Sequence, residues 1–194
     1  MKNLNLLTLC LTFVISCGTT ESEHKLETTQ ENKDAFNNNV ESYRSLFVDG
    51  FKDEDIEKQM SLFADSLKWS PPSYNGNVTL GKNDLKEAIL GYHENFDNIT
   101  FLEGDGSIFG DNAAYWGGSM YSDGPNGIAD GPNGLRIYGR WNSTHSESGA
   151  EVNNKWYGLV VFNEDGKIST FSDWMDVSGM AIQIETHLNN KKIN

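Results

Sequence analysis

Apolar residues recur at Phe36, Val40, Tyr43 and Phe47, the spacing of one buried helix face, and Gly50 follows as a C-terminal stop. Asp53 is placed to cap a second helix with Ile56, Met60, Phe63 and Leu67 inward, which Trp69 and Pro71-Pro72 then end. After the turn-rich stretch from Ser73 to Gly81, Asn83 or Asp84 can cap a third helix carrying Leu85, Ile89, Tyr92 and Phe96 on one side. Beyond it the period changes. β-Branched and aromatic residues broken by Gly, Asn and Asp predict strands over Ile99–Phe109, Ala113–Tyr121, Leu135–Thr144, Val152–Phe162 and Lys167–Asp176. Asn163-Glu164-Asp165-Gly166 is a hairpin signal between the last two, because glycine accepts positive φ. Helices first and strands afterwards predict an α+β fold with an antiparallel sheet.

The ends of the chain have other patterns. Lys2, an apolar stretch from Leu4 to Ile15 and then Ser16-Cys17-Gly18 have the layout of a signal peptide, so export is expected. Val14-Ile15-Ser16-Cys17 resembles the lipobox of bacterial lipoproteins, which implies a lipid on Cys17 and anchoring to a membrane of the cell envelope. Membrane contact would then be through lipid alone. Cys10 would be removed with the signal, leaving Cys17 as the one cysteine and no disulfide within the mature chain. The expected organisation is a signal peptide at 1–16, the lipidated cysteine and a polar tether at 17–34, one domain at 35–186 and a polar tail at 187–194.

The order of elements and the terminal strand carry a resemblance. Gly166-Lys167-Ile168 followed by Phe171-Ser172-Asp173-Trp174-Met175-Asp176 resembles the ending of NTF2-like proteins of the SnoaL-like (polyketide-cyclase-like) group, and the likeness extends over about Phe36 to Ile184. It implies a cone of three N-terminal helices packed on a curved antiparallel sheet, with a small-molecule pocket at its open end. Many members dimerise through the open sheet, so a homodimeric interaction module is a further implied possibility. The insertion from Asp123 to Gly134 departs from the family. It holds Asp-Gly-Pro-Asn-Gly twice, with oxygen ligands at Asp123, Asn126, Asp130 and Asn133 but no bidentate Glu at calcium-loop spacing, so a solvated hairpin tip and no metal is the expectation.

Related isomerases, cyclases and hydrolases use a pocket Asp for proton transfer, and Asp173 matches the last-strand acid of the epoxide hydrolase branch, flanked by Phe171. Aromatic walls would disfavour its charged form and raise its pKa toward the range of a general acid or base. The Arg-x-Asp pair that this branch also needs is missing. Trp69, Tyr92, Tyr115, Tyr138, Phe171 and Trp174 are the aromatic candidates for binding a flat apolar or sugar-like ligand, against the alternative of ordinary core packing. Arg140 is a candidate partner of Asp173 or of a substrate carboxylate. Alternation places Arg136, Tyr138, Arg140 and Asn142 on one face of their strand and Ile137, Gly139 and Trp141 on the other, and the apolar set is the better core candidate. His93 falls off the apolar helix face, and His145 sits beside a polar loop. Nothing has the spacing of a metal site, nucleophile elbow, phosphate loop or dinucleotide fingerprint, so no cofactor is expected.

The chain of 194 residues suits one domain plus a tail, and its net charge of −13 argues against nucleic acid as a partner. No apolar run is long enough for a transmembrane helix. Sequons at Asn77, Asn98 and Asn142 are discounted because the lipobox points to a bacterial source. The leading expectation is a cell-envelope binding domain for a small apolar or aromatic molecule; the alternative is an enzyme working through Asp173.

Overall fold

Thr29 opens the first helix: its hydroxyl accepts a hydrogen bond from the Asn32 N–H at 3.1 Å, satisfying one orphan donor of the first turn. The computed structural model of the protein describes residues 28–107, 113–118 and 131–193. The lipobox with Cys17, most of the tether and most of the Asp123–Gly134 insertion lie outside the described residues.

Helix α1 (Gln30–Ser42), a π-helical turn (Tyr43–Val48) and helix α2 (Asp49–Lys52) follow without interruption, and they bury Val40, Tyr43, Phe47 and Phe51. Gly50 does not end this helix as its position suggested. A methyl group there would lie 2.2 Å from Cγ of the fully buried Gln59, so glycine is needed for close approach. The chain turns instead at Glu54, with φ of 54°.

The second helix is much shorter than its apolar spacing predicted, and Asp55, not Asp53, caps it by accepting from the Lys58 N–H at 2.9 Å. After helix α3 (Ile56–Met60) the chain extends into strand β1 (Phe63–Ser70). Phe63, Leu67 and Trp69 point inward from a strand, not from a helix. A short apolar run is ambiguous between the two periods, and pairing with a distant strand settled it. Helix α4 (Lys82–Asn95) forms as expected, but Gly81 rather than Asn83 or Asp84 takes the cap position; Asp84 lies in the first turn, where its carboxylate accepts from the Gly81 N–H at 2.8 Å.

Strand β2 (Phe96–Glu103) starts earlier than predicted and stops well before Phe109, and among the described residues β3 (Tyr115–Gly117) is only the middle of its predicted segment. Strands β4 (Gly134–His145), β5 (Glu151–Phe162) and β6 (Ile168–Met175) fall within a residue or so of the predicted segments. The strands form one sheet in the order β1-β6-β5-β4-β2, with β3 also on β4. The sheet is mixed rather than antiparallel, because β1 runs parallel to β6. Irregular register between β1 and β6, β2 and β4, and β5 and β6 bends it, leaving a curved, open sheet. The predicted hairpin joins β5 to β6: Gly166 has φ of 67°, and the Asn163 carboxamide accepts from the Asp165 and Lys167 N–H groups.

Helix α5 (Val177–Ile193), which the sequence pattern did not suggest, packs on β5 and crosses the point where a polar tail was expected to begin. Asp176 caps it by accepting from the Gly179 N–H at 2.8 Å. Buried Asn154 on β5 fixes this corner, donating to the Asp176 carbonyl at 3.3 Å and accepting from its N–H at 3.1 Å. The core fills the concave side of the sheet beneath the helices, which is where the cavity lies.

Candidate functional site

Strand alternation decides which side chains reach the interior. Along β6 it sends Phe171, Asp173 and Met175 inward; along β5 it sends Val152, Asn154 and Trp156; along β4 it sends Trp141 and Ser143. These residues form the floor of a cavity of about 260 Å³. Phe47 and Phe51 close it from the first helix, Leu85, Ile89 and Tyr92 from α4, and Val177 and Met180 from α5. Trp69 and the Pro71-Pro72-Ser73 turn complete the wall at the end of β1.

Among the described residues, Asp173 is the one charged residue on this lining, and it is 8% exposed. Its Oδ1 accepts from the Trp69 indole N–H at 3.1 Å, and its Oδ2 accepts from that of Trp156 at 3.3 Å. Burial pushes the carboxyl up to about 6, and the two indole hydrogen bonds act against that rise without cancelling it. Burial likewise pushes the Tyr92 phenol up to about 12 and raises that of Tyr43, and the nearby Asp173 charge adds to both.

Two glycines make room for the aromatic floor. Gly158 faces Asp173 across β5 and β6, and a methyl group on it would lie 2.1 Å from the Trp156 ring. The indole therefore lies over its own strand, with its N–H reaching Asp173. Gly139 does the same for Phe101, whose ring would be 2.3 Å from an added methyl. Phe101 in turn packs on Trp141 at 4.7 Å between centroids and on Trp156 at 5.7 Å.

Of the residues expected at the site, the structure brings together Trp69, Tyr92, Phe171 and Asp173. The others lie elsewhere. Tyr138 and Trp174 project from the opposite face of the sheet and stack on either side of Tyr157, with centroids 4.8 and 5.2 Å apart. Arg140 is on that same outer face, where its Nε and Nη2 donate to Asp105 Oδ2 at 2.9 and 2.6 Å and its Nη1 donates to Asn153. It does not share a cavity with Asp173, for the reason alternation allows: Gly139 and Trp141 take the inward positions. Tyr115 donates to Glu103 at 2.8 Å under the Arg44 guanidinium, away from the cavity lining. Burial acts to raise the Glu103 pKa, but its bonds with Arg44 and Tyr115 outweigh that and hold it below the usual carboxylate range.

His93 and His145 are also off the lining. The ring of His93 meets Phe51 edge-on, and burial lowers its pKa. His145 bonds Ser148 in the β4–β5 turn. Among the described residues no three His, Cys, Asp or Glu side chains converge as metal ligands do, and no helix is long and apolar enough to cross a membrane.

Trp141, Ser143, Asn154 and Trp156 were missed as site residues. Their signal was present in the alternation of β4 and β5 and in the glycines interrupting both strands.

No family model matches the chain, and no curated protein matches it. Solved structures do. The chain is similar to PrhC from Penicillium brasilianum NBRC 6234, with 12% identity, 81% of this chain and 92% of that one covered, and a TM-score of 0.58. It is similar to the BvnE pinacolase from Penicillium brevicompactum, with 12% identity, coverage of 84% and 97%, and a TM-score of 0.57. An NTF2-like protein of unknown function from Burkholderia pseudomallei K96243 aligns with 16% identity, coverage of 76% and 97%, and a TM-score of 0.50. Likeness at such identities shows the fold alone, and that fold is NTF2-like.

Proposed function

We propose that the chain is a small-molecule-binding domain whose cavity takes a compact ligand with apolar or aromatic groups. The observation that carries this reading is the cavity itself, walled by aromatic and aliphatic side chains and closed by elements from both layers. Trp69, Trp141 and Trp156 all line it, so occupancy changes tryptophan emission. Titration with small neutral aromatics such as toluene or benzyl alcohol is expected to give a saturable change that Leu85→Trp, which fills the space, removes. A folded protein showing no saturable change with any of them would refute the reading.

A second reading is favoured by one observation: Asp173, at about 6, is divided between its two protonation states near neutral pH, as a proton-transfer group must be. In this reading Asp173 takes a proton from, or gives one to, a bound hydroxy or keto compound, while the aromatic walls keep water out. Turnover should follow a pH profile that inflects near 6 and should be lost in Asp173→Asn.

For its address we infer export and lipid attachment at Cys17, supported by the apolar stretch Leu4–Ile15 and by Val14-Ile15-Ser16-Cys17. In a bacterial host, labelled fatty acid should be incorporated and the protein should enter a detergent phase. Both should be lost in Cys17→Ser.

A further inference from the structure

Asp173 is buried without a counter-ion. Among the described residues the lining holds no Lys, Arg or His, and what reaches the carboxylate are two neutral indole N–H groups and a backbone hydrogen bond. A carboxylate offers about four acceptor positions, so these neutral donors do not saturate it. An uncompensated buried charge is costly, and the cavity could relieve that cost by admitting a cation. The walls around it suit one kind of cation. Trp69, Trp141, Trp156, Phe51, Phe171 and Tyr92 surround the space with rings, whose faces attract an ammonium group. Donation from an indole N–H to an anion also polarises that ring and makes its face more negative. The net charge of −13 attracts cations from solution.

We propose that the ligand of this cavity is a small organic cation, a tertiary or quaternary alkylammonium held between Asp173 and the aromatic walls. This rests on the reading of the cavity as a binding site and names the chemical class it selects. The cavity volume of about 260 Å³ sets the size, because it has room for a trimethylammonium group with a short substituent. Choline is a suitable probe, and 3,3-dimethyl-1-butanol is its neutral counterpart of the same shape.

Asp173 governs the pH dependence. The titratable groups facing it are Tyr43 on the first helix and Tyr92 on α4, both raised above the ordinary tyrosine value and therefore neutral throughout the range used. As pH falls from about 8 to about 5, the ionised fraction of a group titrating at about 6 drops about tenfold, and the cation should lose affinity in proportion.

The test is titration of the full-length protein with both compounds, followed by tryptophan emission. At about pH 8, choline should bind at least about tenfold more tightly than the neutral isostere. Most of that preference should vanish at about pH 5, and at both pH values in Asp173→Asn, while the neutral compound is unaffected. Equal or tighter binding of the neutral compound at about pH 8 overturns the cation assignment and leaves the cavity reading standing. A preference that survives in Asp173→Asn or at low pH overturns the assignment of Asp173 as the charge that holds the cation. Binding of neither compound by the folded protein overturns the cation assignment, and the cavity reading is then decided by the titration with neutral aromatics. The pH comparison uses the unaltered protein, so the test decides even where the variant does not fold.

Discussion

The two faces of β4, β5 and β6 are made from alternate residues of the same strands, yet they treat charge and aromatic rings in opposite ways. On the outer face, Tyr138, Tyr157 and Trp174 stack in direct cross-strand register, and Arg140 meets Asp105 in solvent. On the inner face, Trp141, Trp156 and Phe171 surround a carboxylate that has no cation. Water screens the outer pair, so it contributes little; the inner charge is unscreened and changes both the local pKa and what the cavity can hold. The comparison teaches that an aromatic cluster marks a site only where it encloses something.

The largest expected way to break this difference is Trp156→Ala. It removes a cavity wall and one of the two donors to Asp173, and should cost about 3–5 kcal/mol in urea unfolding. A loss below about 1 kcal/mol would show that the ring is not part of the core.

The pH dependence of stability comes next. The Asp173 carboxyl titrates at about 6 in the fold against roughly 3.9 in the unfolded chain, so the native state holds this proton more tightly. Its favourable contribution is full below about pH 4 and is lost as pH rises through about 6, a change of roughly 3 kcal/mol. Unfolding midpoints taken across that window should show this segment of slope, and Asp173→Asn should lack it.

Gly158→Ala sharpens the comparison from the backbone side. The added methyl would meet the Trp156 ring, so the indole must move, at about 1–3 kcal/mol. Calorimetry should show the loss, and the Asp173 pKa should rise further as the Trp156 bond opens.

The smallest effect belongs to the outer face: Arg140→Ala should cost no more than about 1 kcal/mol, because that pair is partly exposed. Ligand binding in the cavity should be unchanged. A clear loss of binding would mean that the two faces are coupled.

Several features followed from sequence alone. Periodicity determined the first helix, helix α4 and the hairpin at Gly166, because each rests on contacts between residues near one another in the chain, and side-chain alternation marked the strand segments. Parity within a strand also determined that Asp173 shares a face with Phe171 and that Arg140 opposes Trp141. Which parity faces inward is a tertiary matter, and so is the identity of β1, whose spacing suits a helix until β6 pairs with it. That parallel pairing carries Trp69 to Asp173 from 104 residues away, and the curvature of the sheet seats Trp156 on the other carboxylate oxygen. A site built from such long-range contacts has no local pattern to announce it, so the acid and Trp69 were visible in the sequence as candidates, while their hydrogen bond, the second one from Trp156 and the lack of a cation on the described lining became visible only in the fold.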